Sequence, residues 1–149
     1  MRINRNINTT ILTNNNCDVL EKLKDEIVVS DLEQLKTIKA DFIVFNDVIR
    51  TLSQKERERF FNNMETRGIH FINVTSNPEE TLYAHELIVF NDGEIILKGS
   101  TLSVLKEEST LKHLGYSLPF IVDLSLQLNA YDIIDSIFLD EELLVSKLW

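Results

Sequence analysis

Short apolar runs separated by segments of helical period set the plan of this chain. The runs Thr9–Thr13, Ile27–Ser30, Phe42–Phe45, His70–Thr75, Leu87–Phe90 and Glu94–Leu97 are apolar and mostly β-branched, and they predict strands, most of them of the buried kind. Ser53–Arg67 is the clearest helix between them. Ser53 and Glu56 have the spacing of a capping box, Phe60, Phe61 and Met64 form an apolar face, and Gly68 supplies the left-handed stop. Asn77 followed by Pro78, Glu79 and Glu80 predicts a second helix start, with proline at the first helical position and carboxylates where the dipole favours them. Asn91-Asp92-Gly93, between ELIVF and EIILK, has the turn chemistry of a β-hairpin.

After Ser100 the pattern turns to helices alone. Pro119–Leu128 places Phe120, Ile121, Leu124 and Leu128 in one stripe with Val122 and Leu126 away from it, and Asp140–Leu148 offers Leu143, Leu144 and Leu148. The stripe serves equally as core or as a partner surface. Strand and helix alternation predicts an α/β fold, a mostly parallel sheet covered by helices over residues 1–100, with an edge hairpin. Residues 101–149 are expected to form a small C-terminal helical appendage.

Composition narrows the function classes. With 149 residues, 44% of them hydrophobic and 26% charged, the chain suits one globular domain with an ordinary core. Fifteen basic against 24 acidic side chains leave a net charge of -9, and no basic run suits a nucleic-acid backbone. No apolar run approaches the ~20 residues of a membrane span, and the first ten residues lack the apolar segment of a secretory signal. Cys17 is the only cysteine, so an internal disulfide is excluded and a reducing, cytoplasmic setting is expected. His70, His85 and His113 have no metal-ligand spacing and read as surface or packed side chains. The alternating charges of Lys55–Arg59 read as a solvated helix face. Cys17 reads as a tolerated thiol, and Asp47, at a strand end, as a loop hydrogen-bonder.

From Asp41 onward, DFIVFNDVIRTLSQKERERFFNNMETRGIHFINVTSNPEETLYAHELIVFNDGEIILKGST resembles the second half of an ABC-type ATPase domain. The tail, LGYSLPFIVDLSLQLNAYDI and then FLDEELLVSKLW, resembles the C-terminal helices of the ATPase subunits of energy-coupling-factor transporters, an appendage that helps two ATPases pair. The resemblance implies a P-loop-like sheet with helices on both faces. It also implies site positions. Asn46 and Asp47 stand where the family has a magnesium-holding Asp and a water-positioning Glu, Ser53 where it has the D-loop Asp, and Ser76 where it has the switch histidine.

These positions depart together from the family's chemistry. A neutral amide supports a hard dication poorly, and an aspartate one methylene short displaces a general base. The first 67 residues contain no glycine, although phosphate loops need glycine for close backbone approach. Asn14-Asn15-Asn16-Cys17 occupies the phosphate-loop position, where asparagine keeps a turn without phosphate chemistry. No aromatic residue precedes Phe42 for adenine stacking, and the interval before Phe42 is too short for the family's helical subdomain. The expectation is a degenerate, truncated relative with no bound cofactor or metal, acting as a structural or regulatory partner in a homodimer or with a homologous ATPase. A working ATP-binding subunit of a nutrient transporter is the enzymatic alternative, and a decaying gene product is the third.

Overall fold

The computed structural model describes residues 3–148. Met1, Arg2 and Trp149, the outer ends of the two expected domains, lie outside them. Six strands form one sheet in the spatial order β2-β3-β4-β1-β5-β6. They are β1 (Thr9–Leu12), β2 (Val28–Val29), β3 (Phe42–Asn46), β4 (His70–Thr75), β5 (Glu86–Asn91) and β6 (Glu94–Ser100). The pairs β2/β3, β3/β4, β4/β1 and β1/β5 are parallel, and only β5/β6 is antiparallel. The predicted parallel sheet with an edge hairpin is therefore present, although the second strand is shorter than its apolar run.

Local chemistry explains the best-defined boundaries. Helix α2 (Gln54–Thr66) begins at Ser53, whose hydroxyl accepts from the Glu56 N–H while the Glu56 carboxylate accepts from the Ser53 N–H. It ends where Gly68 takes φ 69° and the Ile69 N–H donates back to the Met64 carbonyl at 2.9 Å. In the hairpin, Asp92 and Gly93 both have positive φ, 49° and 81°, the mirror-image turn that matches strand twist. The start at Asn77 is real, but Pro78–Tyr83 winds as a 3-10 segment rather than an α-helix.

Strand alternation puts helices on both faces. Ile11, Phe42, Val44, Ile72, Val74, Ile88 and Phe90 pack with Val19 and Leu23 beneath helix α1 (Asn16–Lys22). The opposite face carries two clusters. One gathers Ile43, Phe45 and Phe71 under Phe61 and Met64 of α2. The other gathers Leu12, Leu87 and Val89 under helices α3 (Thr101–Leu105), α4 (Glu108–His113), α5 (Phe120–Ala130) and α6 (Glu141–Leu148). Residues 101–148 thus share a core with the sheet.

The stripe expected on α5 is corrected by the structure. Ile121, Val122 and Ser125 are the buried positions, while Phe120 is 69% exposed. The reason is a second cover supplied by the chain itself. The Phe138 N–H donates to the Ser125 hydroxyl at 3.2 Å, and Ile134, Ile137, Phe138 and Leu139 join the cluster over α5. No partner is needed to bury Val122.

Candidate functional site at the strand ends

In open α/β sheets ligands bind outside the carboxyl ends of the parallel strands, and there the structure gathers most of the expected positions. Asn46 ends β3. Its side-chain oxygen accepts from Asn16 Nδ2 at 2.8 Å, and its Nδ2 donates to Ser30 Oγ at 3.1 Å. Three neutral side chains from the ends of β3, β2 and the start of α1 therefore satisfy one another. The turn before α1 is tight: Thr13 Oγ1 accepts from the Asn15 N–H at 3.1 Å. Asp18, in the first turn of α1, already places a carboxylate at the positive end of that helix.

Asp47 follows with φ 50°, a left-handed conformation that aspartate tolerates better than most residues. Its N–H donates to the Val74 carbonyl at 2.8 Å, and its Oδ2 pairs with Arg50 Nε at 3.1 Å. Its other oxygen, Oδ1, is buried without a hydrogen-bond partner. Ser76 is exposed just beyond β4, and Ser53 is engaged as the cap of α2. Asn46, Asp47 and Ser76 thus lie at neighbouring strand ends, whereas Ser53 serves its helix.

Behind this rim runs a buried polar seam that the sequence reading missed. Thr10 and Asn73 are register partners on β1 and β4, and both are fully buried. Glu80, 1% exposed, lies over them, its carboxylate accepting from Asn73 Nδ2 and Thr75 Oγ1, each at 2.9 Å. Burial pushes the Glu80 carboxyl above the usual range, and the nearby Asp47 charge adds to this. The Asn73 and Thr75 hydrogen bonds and the Arg57 charge oppose it. Thr10 Oγ1, Arg57 Nε and Asn73 Oδ1 are also buried without partners. The available signal was alternation: Phe71, Asn73 and Thr75 share a face of β4, so that face turns polar inside the sheet.

The remaining sequence candidates fall elsewhere. Cys17 is exposed on α1. His70 and His85 meet around Asn8 at the amino end of the sheet. His70 Nδ1 lies 3.1 Å from Asn8 Oδ1, and the Asn8 N–H donates to His85 Nδ1 at 3.4 Å. His113 is the last residue of α4. Among the described residues no group of three or more His, Cys, Asp or Glu side chains suits a metal ion, and no helix is long and apolar enough to cross a membrane.

Two comparisons with known proteins match the chain. The energy-coupling factor transporter ATP-binding protein EcfA1 of Listeria monocytogenes is 26% identical over 117 residues, 75% of this chain and 42% of that protein. EcfA1 of Caldanaerobacter subterraneus is 32% identical over 106 residues, 71% of this chain and 34% of its own length. A putative ABC transporter ATP-binding protein of Methanosarcina mazei is 30% identical over 100 residues, 65% of this chain and 36% of that protein. The chain is a relative of the ABC-type ATPases. This ABC ATPase relative spans 34% to 42% of the length of these proteins. Among solved structures it is similar to cbiO1 of Clostridium perfringens, part of the ABC transporter complex cbiONQ. That likeness has 20% identity and a TM-score of 0.40, and covers 53% of this chain and 34% of the other. No family profile matches it.

Proposed function

We propose that this ABC ATPase relative is a non-catalytic structural or regulatory partner of a transporter ATPase, cytoplasmic and at most peripheral to a membrane through that partner. The observation that carries the reading is the closed amide network Asn16–Asn46–Ser30 at the strand ends. Where an ATPase needs carboxylate oxygens for magnesium and backbone amides for phosphate, these side chains are neutral and spend their polar atoms on each other. Asp47 is held by Arg50, and no glycine precedes Gly68. Four positions of the resemblance, Asn46, Asp47, Ser53 and Ser76, take part in the degenerate reading together.

The partner role rests on exposed apolar side chains of the helical layer: Phe120, Tyr131, Ile133 and Leu143 are each more than half exposed on a chain of net charge -9. A second copy or a homologous ATPase is the proposed occupant. The relatives' own description as ATP-binding proteins favours one second reading, a working ATP-binding subunit of a nutrient transporter.

Calorimetric titration with ATP and magnesium separates the two. The proposal expects no binding tighter than about 1 mM, or ~4 kcal/mol; a tighter complex would sink it and favour the working subunit. Light scattering over a concentration series, alone and with an intact homologous ATPase, tests the partner role, which strictly monomeric behaviour in both cases would remove.

A further inference from the structure

Beside α2 the protein keeps a groove that the strand-end site does not use. Its volume is about 370 Å³, within the range of small-molecule pockets. One wall is the 3-10 segment Leu32–Lys36 with the chain that follows it, and the other is α2. The first wall is fixed by its own cap. Asp31 accepts from the Glu33 N–H at 3.0 Å, while Gln34 Oε1 accepts from the Ser30 and Asp31 N–H groups at 2.8 Å and 3.1 Å. Leu35 and Ile38 on this wall, Leu52 before α2 and Phe60 on it all pack against the α2 cluster yet stay half-buried. The apolar surface they leave lines the groove.

The rim is cationic. Arg59, Asn63 and Arg67 recur at every fourth residue, so they share one face of α2 and its C-terminal end, about 6 Å apart along the axis. Both arginines are exposed, and among the described residues neither joins an ion pair, on a chain of net charge -9. Glu56, the acid of the lining, lies in the first turn of α2, at the other end of the groove from Arg67, and its carboxylate is engaged by the Ser53 N–H at 3.0 Å.

We infer that this groove binds a small amphipathic carboxylate, its apolar chain against Leu35, Ile38 and Phe60 and its head at Asn63, between the guanidinium groups of Arg59 and Arg67. Charge complementarity selects the class. Guanidinium groups hold carboxylates through paired, charge-assisted hydrogen bonds, and the Asn63 amide adds a neutral donor. A neutral amphiphile would leave both arginines unanswered, and an inorganic anion would leave the apolar walls in water. The groove shares no lining residue with the Asn16–Asn46–Ser30 network or with α5, so the inference stands apart from the partner reading.

The test titrates octanoate while nuclear magnetic resonance follows the methyl signals of Ile38 and Met64. Octanamide is the neutral analogue of equal length, and acetate is the head without the chain. Octanoate should shift both methyls saturably, octanamide should bind about tenfold more weakly, and acetate should not saturate. Arg59→Gln and Arg67→Gln change exposed side chains and should leave the fold intact. Together they should weaken octanoate by about tenfold and leave octanamide unchanged. Equal affinity for octanoate and octanamide would overturn the inference, as would wild-type octanoate binding in the double variant or no saturation by about 10 mM. Methyl shifts that follow protein concentration without octanoate would put a second copy in the groove and overturn it too. A chain that stays monomeric yet takes up octanoate would remove the partner reading and keep this one.

Discussion

The carboxylate of Glu79 accepts the backbone N–H of Phe120 at 2.7 Å, across 41 positions of sequence. Helix α5 has no side-chain cap of its own, because Pro119 stands at its N-cap. A distant acid therefore supplies what a local Ser or Asp supplies elsewhere, and it also places negative charge at the positive end of the helix.

Removing that acceptor should weaken the domain. Glu79→Ala is expected to cost about 1 kcal/mol of unfolding free energy, the usual value of a helix cap, while Glu79→Gln retains an oxygen acceptor and costs less. Urea denaturation of the two variants checks this; equal midpoints for Glu79→Ala and the wild type would show that the bond contributes nothing.

Stability should carry the signature of Glu80. Its carboxyl is raised, chiefly by burial, so the folded chain binds that proton more tightly than the unfolded chain. The resulting stabilisation is fully present below the unfolded-state value and is lost as pH rises through the folded value. Glu80→Gln removes the titration, so its stability relative to the wild type should increase as pH rises from the ordinary carboxylate range through the raised folded-state value. A difference that shrinks with rising pH would contradict the direction of the shift.

Placing an acid at the end of β3 should not confer nucleotide binding. Asn46→Asp keeps an acceptor for Asn16 Nδ2 but loses the bond that Asn46 Nδ2 donates to Ser30. It adds neither a lysine nor a glycine loop, so calorimetry with ATP and magnesium should still show no complex tighter than about 1 mM.

Two neighbouring residues on α5 should behave oppositely. Ile121 is 7% exposed and lies in the core beside Val122, so Ile121→Asp buries a carboxylate without a partner and should cost more than about 3 kcal/mol. Phe120→Ser changes a side chain that is 69% exposed, and its effect on unfolding should stay within about 0.5 kcal/mol. If the chain pairs through this face, Phe120→Ser should dissociate the pair in light scattering while leaving the fold intact.

Much of the architecture was legible in the sequence because the signals that set it are local. Ser53 and Glu56 meet within one helical turn, Gly68 and Gly93 take φ values that other residues resist, and the apolar runs are strands in the predicted parallel sheet. The strand-end positions Asn46, Asp47 and Ser76 also follow from the resemblance, since each ends or directly follows a strand whose place is fixed by the sheet.

What the tertiary structure alone decided was which polar group meets which, and which apolar face is covered. Glu80 reads in sequence as a carboxylate near a helix start; it became a buried acid because β4 carries Asn73 and Thr75 on the face over which Pro78–Tyr83 folds. Ile121 and Val122 were separated by helical spacing, yet both are buried because the segment around Phe138 folds back over α5. Asn16 and Asn46 are 30 positions apart and form one network only once β3 and α1 meet. Period and caps record a residue's neighbours along the chain, whereas burial and hydrogen-bond pairing depend on segments that arrive from elsewhere.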